Sequence, residues 1–522
     1  MIKAGISAQA ARKPRTVLLL DPELDDLNTL VRYLLYSDQF DTEAFIYQSS
    51  IYHWKGDGKG TTFEGNSEHT HIGIGPITQW RWDHDSRFME EGVDIYARVY
   101  TNLIAHSDGY PEPDLLQSRI YEGNVSFPGD MSQESPGSNR IKSLILDDKP
   151  GPLYLLSGAG MSTIGRALLS IEETYKHTKA WEDIYRHVCR KVILQAFGDQ
   201  DGVYPGYIRP QWPDIECRDM STGIWGYGAH QEALPHDQQY LSSAWMKEHV
   251  SSVGPFGEFY RVWGDGKIMH QNDRTDFFGF AGLTVEQLQE LGYNVWYKAL
   301  KEPGAWISEG DTSIFMNLIN NGLDAHIDGS YGGWGGRGGK DITPDGIASH
   351  SYAVARWFGA AQRDFAARMK WTVTPRYEDA SHPPIAQLLS PRSNSLVVRP
   401  GEVVTLAAAV QDPDNGHVTG RWWRYEEADT YPGAIEWLAA PGTAAPEQQP
   451  YPATIPAPGS PEAASLKVSK RDVVSSFTVP HDASSGQTLH FILEAVNHGR
   501  PALTSYLRVV LTVQRGGKSF IS

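Results

Sequence analysis

Asp21, Asp25 and Asp26 stand within six residues of one another, in the string Asp21-Pro22-Glu23-Leu24-Asp25-Asp26. Carboxylates crowded this closely repel one another unless something positive compensates. A hard divalent cation with oxygen ligands, Ca²⁺ above all, is the natural compensation. The plainer alternative is an N-cap, an Asp whose side chain binds the free N–H groups of a helix start and suits its dipole. One aspartate would serve that purpose, so a cap is an incomplete account of three.

The surrounding pattern says what positions them. Residues 16–20 are a β-branched and leucine run, read as a buried parallel strand that stops at the acidic turn. Leu27, Leu30, Val31, Leu34 and Leu35 then mark one face of a helix, and residues 42–47 read as a second strand. Strand, turn, helix, strand is a βαβ unit, and ligands of such sheets bind beyond the carboxyl ends of the strands. The rhythm recurs. A strand at 152–156 runs through Ser157-Gly158-Ala159-Gly160 into a helix from about residue 162 to 171. Another, at 191–197, ends at Gly198-Asp199-Gln200-Asp201. A third, at 306–308, leads into Glu309-Gly310-Asp311-Thr312 and a helical run over 314–319. Residues 53–83 and 329–340, rich in Gly, Trp and His, read as loops over the strand ends. A helix over 352–370 carries Trp357, Phe358 and Phe365 for a core, with Arg356, Arg363 and Arg368 on a solvated or ion-paired side.

The composition changes near Ser381-His382-Pro383-Pro384. Beyond it, alternating segments at 395–399, 403–410, 419–425, 475–479, 488–496 and 505–513 are separated by turn residues, the pattern of an all-β sandwich. Residues 439–464, rich in Pro and Ala, read as an irregular loop. The expected domains are an open α/β sheet over 15–380 and a sandwich over 385–522, preceded by residues 1–14 as a flexible start or the remnant of an export signal. A chain of 522 residues needs two cores in any case.

A formal charge of −17 argues against nucleic acid or an anionic membrane as partner and leaves neutral ligands such as sugars open. No stretch of about 18 apolar residues suits a membrane span. Sixteen Trp and 25 Tyr are enough to build carbohydrate platforms as well as cores. Cys189 and Cys217 allow at most one intramolecular disulfide, or two inert thiols. Homo-oligomerisation is left open.

The string D-P-x-x-D-D after a hydrophobic strand resembles the N-terminal calcium motif of nucleoside hydrolases. The strings DPELDDLNTLVRYLLYSDQFD, EGDTSIFMNLINNGL, YGGWGGR, RDFAARMKWTV and ASHPP together resemble one branch, the bacterial cellulose-binding, nucleoside-hydrolase-like proteins. That resemblance spans nearly the whole chain and implies an open α/β domain followed by an Ig-like one. It implies that Asp21 and Asp26 are the first and last calcium carboxylates, that Asp311 completes the metal shell, and that a backbone carbonyl ligand falls near Gly158. Asp25 would face sugar hydroxyls, and Asp21 would act as base toward a calcium-activated water attacking an anomeric carbon. Departures are plain. Gly310 stands where nucleoside hydrolases place a His, and Gln48-Ser49-Ser50 replaces their early Gly-Asn turn. Their ribose loop has no counterpart; GDQDGVYPGYIRPQW stands there, with Asp199, Gln200, Asp201, Arg209 and Trp212 as candidate substrate contacts. Retained metal ligands with a changed sugar pocket argue against an ordinary nucleoside and fit another glycoside, or a site that binds sugar without cleaving it.

Further candidates each have a structural alternative. Glu309 could be the general acid for a sugar leaving group or a salt-bridged support. Asp199 and Asp201 could bind hydroxyls or merely form a turn or cap. Trp54, Trp212 and Trp334 could stack on sugar rings or pack between loops. Arg337, in Gly332-Gly333-Trp334-Gly335-Gly336-Arg337, suits close approach to a ligand, whereas that run lacks the ending of a phosphate loop. His69 and His71 lack a third ligand nearby, so zinc is not expected there. Trp423 and Tyr425 share one face of a strand and Trp422 the other, offering a core on one side and a sugar strip on the other. The expected function is a Ca²⁺-dependent glycoside hydrolase acting outside the cytoplasm, extracellular or periplasmic. A non-catalytic polysaccharide-binding protein is the alternative, and a nucleoside N-ribohydrolase the third.

Overall fold

The computed structural model describes residues 12–66, 73–83, 85–267, 285–290, 302–438 and 469–515. The Pro/Ala-rich stretch 439–464, His69 and His71 lie outside these, as does most of segment 1–14. The chain divides into two compact units, Met1–Gln231 with Leu241–Ile319, and Glu232–Tyr240 with Asn320–Ser522.

The first unit is built on strand β1 (Arg15–Leu20), every residue of which is buried, as a central parallel strand with both faces covered requires. It lies between β2 (Asp41–Tyr47) and β6 (Leu153–Ser157), with β5 (Ile120–Glu122) beyond β2, and β7 (Val192–Ala196) and β8 (Glu216–Asp219) beyond β6. All five pairings of this six-stranded sheet are parallel. The chain leaves β1 toward β2 and leaves β6 toward β7, in opposite directions. The crevice beyond the carboxyl ends of β1 and β6 is therefore the topological switch point, where open α/β sheets bind ligands. Helix α1 (Leu24–Leu35) follows β1 at once. The small hairpin β3 (Phe63–Asn66) and β4 (Gly73–Ile77) stands apart from the main sheet.

The strand expected at 306–308 is not part of the sheet. Its backbone instead donates from Trp306 to Leu241 O and from Glu309 to Trp225 O, across irregular chain. A single 3-10 turn, Gly310–Thr312, then enters the short helix Ser313–Met316. Hydrophobic content alone could not distinguish a ladder partner from a buried extended connection.

The second unit contains the helix Tyr352–Trp371, the short ladder β9 (Asp341–Ile342) with β10 (Ala348–Ser349), and two four-stranded sheets. One sheet runs β11 (Ile385–Ser390), β13 (Val403–Gln411), β16 (Lys470–Thr478), β15 (Glu436–Leu438). The other runs β12 (Ser395–Val398), β18 (Thr504–Val513), β17 (Thr488–Asn497), β14 (Val418–Arg424). Their inward residues, among them Leu406, Val410, Phe477, Phe491 and Leu511, form one core. The edge strands β11 and β15 escaped the sequence pattern because β15 is three residues long and β11 exposes Ile385 and Leu389. Trp422 faces the sandwich core, whereas Trp423 and Tyr425 pack with Trp357 around the Arg356 guanidinium. The expected sugar strip on this strand is thus a cation–π cluster.

At the amino ends of the parallel strands, charge is matched by charge. Arg15 donates to Glu43 at 2.8 Å and to Asp147 at 2.6 Å, Lys149 reaches Glu43 at 2.7 Å, and Lys191 pairs with Asp147. Burial alone would raise the Asp147 carboxyl, but hydrogen bonds from Arg15 and Lys191 outweigh it and hold the group at about 2. A carboxylate held below its unfolded value adds stability that is complete above the ordinary range near 4 and is lost as pH falls toward 2. The urea midpoint should therefore drop between about pH 4 and pH 2, and Asp147→Asn should flatten part of that slope; an unchanged slope would deny Asp147 this role.

Candidate functional site

At the carboxyl ends the arrangement reverses. Asp21 closes β1 with its side chain almost wholly buried, and Asp25 and Asp26 occupy the first turn of α1. The N-cap position belongs to Glu23, whose side chain makes no capping hydrogen bond, so capping does not account for the aspartates. Asp21 N donates to Asp26 Oδ1 at 3.1 Å, which turns the Asp26 carboxylate back under the strand end. Asp25 Oδ2 accepts from Ser308 Oγ at 2.9 Å. The 3-10 turn brings the Asp311 carboxyl beside that of Asp26. Sequence positions almost 300 residues apart thus meet at one strand end.

Burial raises the Asp26 carboxyl well above its ordinary value, and the charges of Asp311, Asp21 and Asp25 raise it further. Asp311 is raised by burial and then by Asp25, Asp21 and Glu23; Asp25 is raised by burial and then by Glu23, with Ser308 opposing. Neither oxygen of Asp21 has a hydrogen-bond partner among the described residues. A buried carboxylate in that condition is costly unless a positive group joins it. A hard cation with oxygen ligands fits this donor set; Asp21, Asp26 and Asp311 are the residues that could hold it, while the donor atoms that already converge within 4.8 Å are those of Asp21, Glu23 and His53 and those of Glu23, Asp25 and Asp26.

Two glycines make the approach possible. A Cβ on Gly158 would come within 2.7 Å of Asp311 Cγ, and one on Gly310 within 2.3 Å of Asp25 Oδ2. The loop after β6 therefore lies directly against Asp311. The Gly158 carbonyl accepts from Gln200 Nε2 at 2.7 Å, so Gln200, a candidate sugar contact, reaches the rim of the cluster and steadies its loop.

The remaining candidates have other employment. Glu309 is fully buried and receives Arg32 through both Nε and Nη2, Tyr260 OH at 2.6 Å and Thr312 Oγ1 at 3.0 Å. It is a salt-bridged support, and the general-acid assignment is withdrawn. Asp201 accepts from Met161 N and Ser162 N, each at 2.9 Å, and so caps the helix Ser162–Tyr175 from a neighbouring loop. Asp199 is exposed and serves the turn before Asp201, and Arg209 is exposed beside Tyr204. Trp54, Trp212 and Trp334 are all buried; Trp212 stacks on Tyr185 with centroids 5.4 Å apart. None of the three presents a face to a sugar ring. Trp334 and Arg337 belong to the second unit, where Arg337 donates to Asp341 at 2.7 Å. Cys189 and Cys217 are free thiols, both raised by burial.

Two residues at the site were missed. Glu23 lies inside the acidic string, and His53 begins the loop beyond β2; both are buried, and His53 Nδ1 is 3.4 Å from Asp21 Oδ2 and 3.6 Å from Glu23 Oε2. A fourth acid in a helix-start string and a lone His in a loop are weak signals. Only the fold puts them side by side.

A parallel sheet with an acidic crevice at its switch point, joined to a β-sandwich, defines a nucleoside-hydrolase-like protein with an appended β-domain. Two family models match the chain: "Cellulose-binding Sde182, nucleoside hydrolase-like domain" over residues 15–337 and "Cellulose-binding protein Sde0182, C-terminal domain" over residues 403–513. The chain belongs to this family. A solved nucleoside hydrolase-related protein from Saccharophagus degradans, described as associated with carbohydrate metabolism, has 20% identity and a TM-score of 0.64, covering 96% of this chain and 100% of its own. At that identity the likeness shows the fold. The SrpA adhesin from Streptococcus sanguinis has 13% identity and a TM-score of 0.16, covering 25% of this chain and 57% of its own, which carries no argument. No curated protein matches the chain.

Two outcomes follow from this packing. Asp26→Asn keeps the Oδ1 acceptor and removes one repelling charge, so chelator-treated protein should gain several degrees in Tm, roughly 2–4 °C per kcal/mol for a domain of this size. A loss of Tm would show that the cluster is internally compensated. Gly158→Ala should cost about 1–3 kcal/mol in urea unfolding through overpacking against Asp311; a neutral result would place Asp311 elsewhere.

Proposed function

We propose that the first unit is a Ca²⁺-dependent glycoside-hydrolysing site acting on a saccharide, with the second unit contributing to polysaccharide binding, and that the protein works in the extracellular or periplasmic space. The observation that carries this reading is Asp21, a buried carboxylate with neither oxygen hydrogen-bonded among the described residues, set amid further acids at the switch point. A bound divalent cation would supply Lewis acidity toward water and a seat for vicinal hydroxyls. Asp21, Asp26 and Asp311 would hold it, with the Gly158 carbonyl at hand. Asp21, with no hydrogen-bond donor on either oxygen among the described residues, is the group able to take a proton from a nucleophilic water. Asp25, steadied by Ser308, would fix a sugar hydroxyl, and the acids around it would favour positive charge developing at an anomeric carbon. The family description supports a cellulose-type glycan, and the uncharged nature of such a polymer suits a chain of net charge −17.

One observation favours the second reading, binding without cleavage. Glu309 is committed to Arg32 and Tyr260 and is not available to protonate a sugar leaving group.

Amorphous cellulose and soluble cello-oligosaccharides separate the two. Hydrolysis predicts reducing sugar released with calcium, abolished by chelator, and reduced about 100-fold or more by Asp21→Ala. Retention of the protein on cellulose with no product would select the binding reading, and cleavage of inosine would overturn both in favour of a nucleoside substrate.

A further inference from the structure

The acidic cluster contains two overlapping ligand groups. In Asp21, Glu23 and His53, as in Glu23, Asp25 and Asp26, each residue has one donor atom within 4.8 Å of the others'. Glu23 belongs to both groups.

We propose that the site takes a second divalent cation on Asp21, Glu23 and His53, beside the one proposed above on Asp21, Asp26 and Asp311. This rests on the cation reading of the cluster above and adds a distinct binding site to it. The distances lie within ion-pair range and are also those expected of ligands around one metal ion. His53 Nδ1 stands 3.4 Å from Asp21 Oδ2 and 3.6 Å from Glu23 Oε2. Both exceed the 2.7–3.2 Å of an N–H···O hydrogen bond. They match the roughly 3.3 Å that separates two ligands of a tetrahedral ion whose own bonds are about 2.0–2.1 Å long. The same ring nitrogen faces both carboxylates, as a shared ion requires.

The site is also built. His53 is wholly buried, and its backbone is pinned by paired hydrogen bonds with Ser50, at 2.9 and 3.2 Å. Tyr227 OH donates to Glu23 Oε1 at 3.3 Å, an outer contact of the kind that orients a ligating carboxylate. Asp21 supplies buried oxygens that have no hydrogen-bond partner among the described residues. An imidazole with two carboxylates suits a borderline divalent transition cation, Zn²⁺ or a close relative, more than Ca²⁺. Glu23 is placed to bridge the two ions.

Full-length protein saturated with Ca²⁺ provides the test, with Co²⁺ as a spectroscopic probe. Co²⁺ should add one equivalent by metal analysis, without displacing Ca²⁺, and develop visible d–d absorption. His53→Gln and the smaller His53→Asn should each weaken Co²⁺ binding by more than the roughly 10–100-fold typical of losing an outer contact. Both should retain Ca²⁺, with Tm in calcium reporting that they fold. Asp26→Asn should do the reverse, losing Ca²⁺ and keeping the Co²⁺ bands. Displacement of Ca²⁺ by Co²⁺ one for one, or Co²⁺ binding unaffected in both His53 variants, would overturn the second site and leave the single-cation reading standing. Binding of neither ion would overturn both.

Discussion

Mutual repulsion among buried carboxylates is the constraint around which the first unit is organised. The same sheet handles acidic groups in opposite ways at its two ends. At the amino ends Glu43 and Asp147 are matched by Arg15, Lys149 and Lys191, and the result is a closed ionic network. At the carboxyl ends burial and the charges of neighbouring acids raise the proton affinity of Asp25, Asp26 and Asp311. The nearby guanidinium of Arg32 is bound to Glu309. Such an end is costly as a set of bare charges; protons relieve part of that cost, and on the proposed reading a bound cation relieves the rest.

Much of the layout was legible in the sequence. The uninterrupted apolar run before Asp21 and the 3.6-residue spacing from Leu27 to Leu35 fix a strand and a helix because burial demands those periods. The alternating strands of the sandwich were legible for the same reason. The cluster was legible in part, since Asp21, Asp25 and Asp26 are adjacent in sequence and Asp311 follows from family resemblance. His53 was not, because nothing local distinguishes a ligand from a packed histidine.

The errors have a common physical origin. Trp54, Trp212 and Trp334 have the chemistry of sugar platforms, but a large ring gains as much from burial as from a ligand, and burial is decided by long-range packing. Glu309 and Asp201 likewise have the chemistry of catalysis. Their hydrogen-bond partners, Arg32 and Tyr260 in one case and the Met161 and Ser162 amides in the other, lie far away along the chain. Residue type announces what a group could do. Only its partners say whether it is still available.

Gly310 has a consequence for how this lineage can change. In nucleoside hydrolases a histidine precedes the distant aspartate, whereas here even a methyl group would collide with Asp25. A single Gly310→His replacement is therefore sterically closed here: an imidazole could enter only after Asp25 had moved. The identity of one backbone position and the placement of one carboxylate are tied together, so neither can change alone.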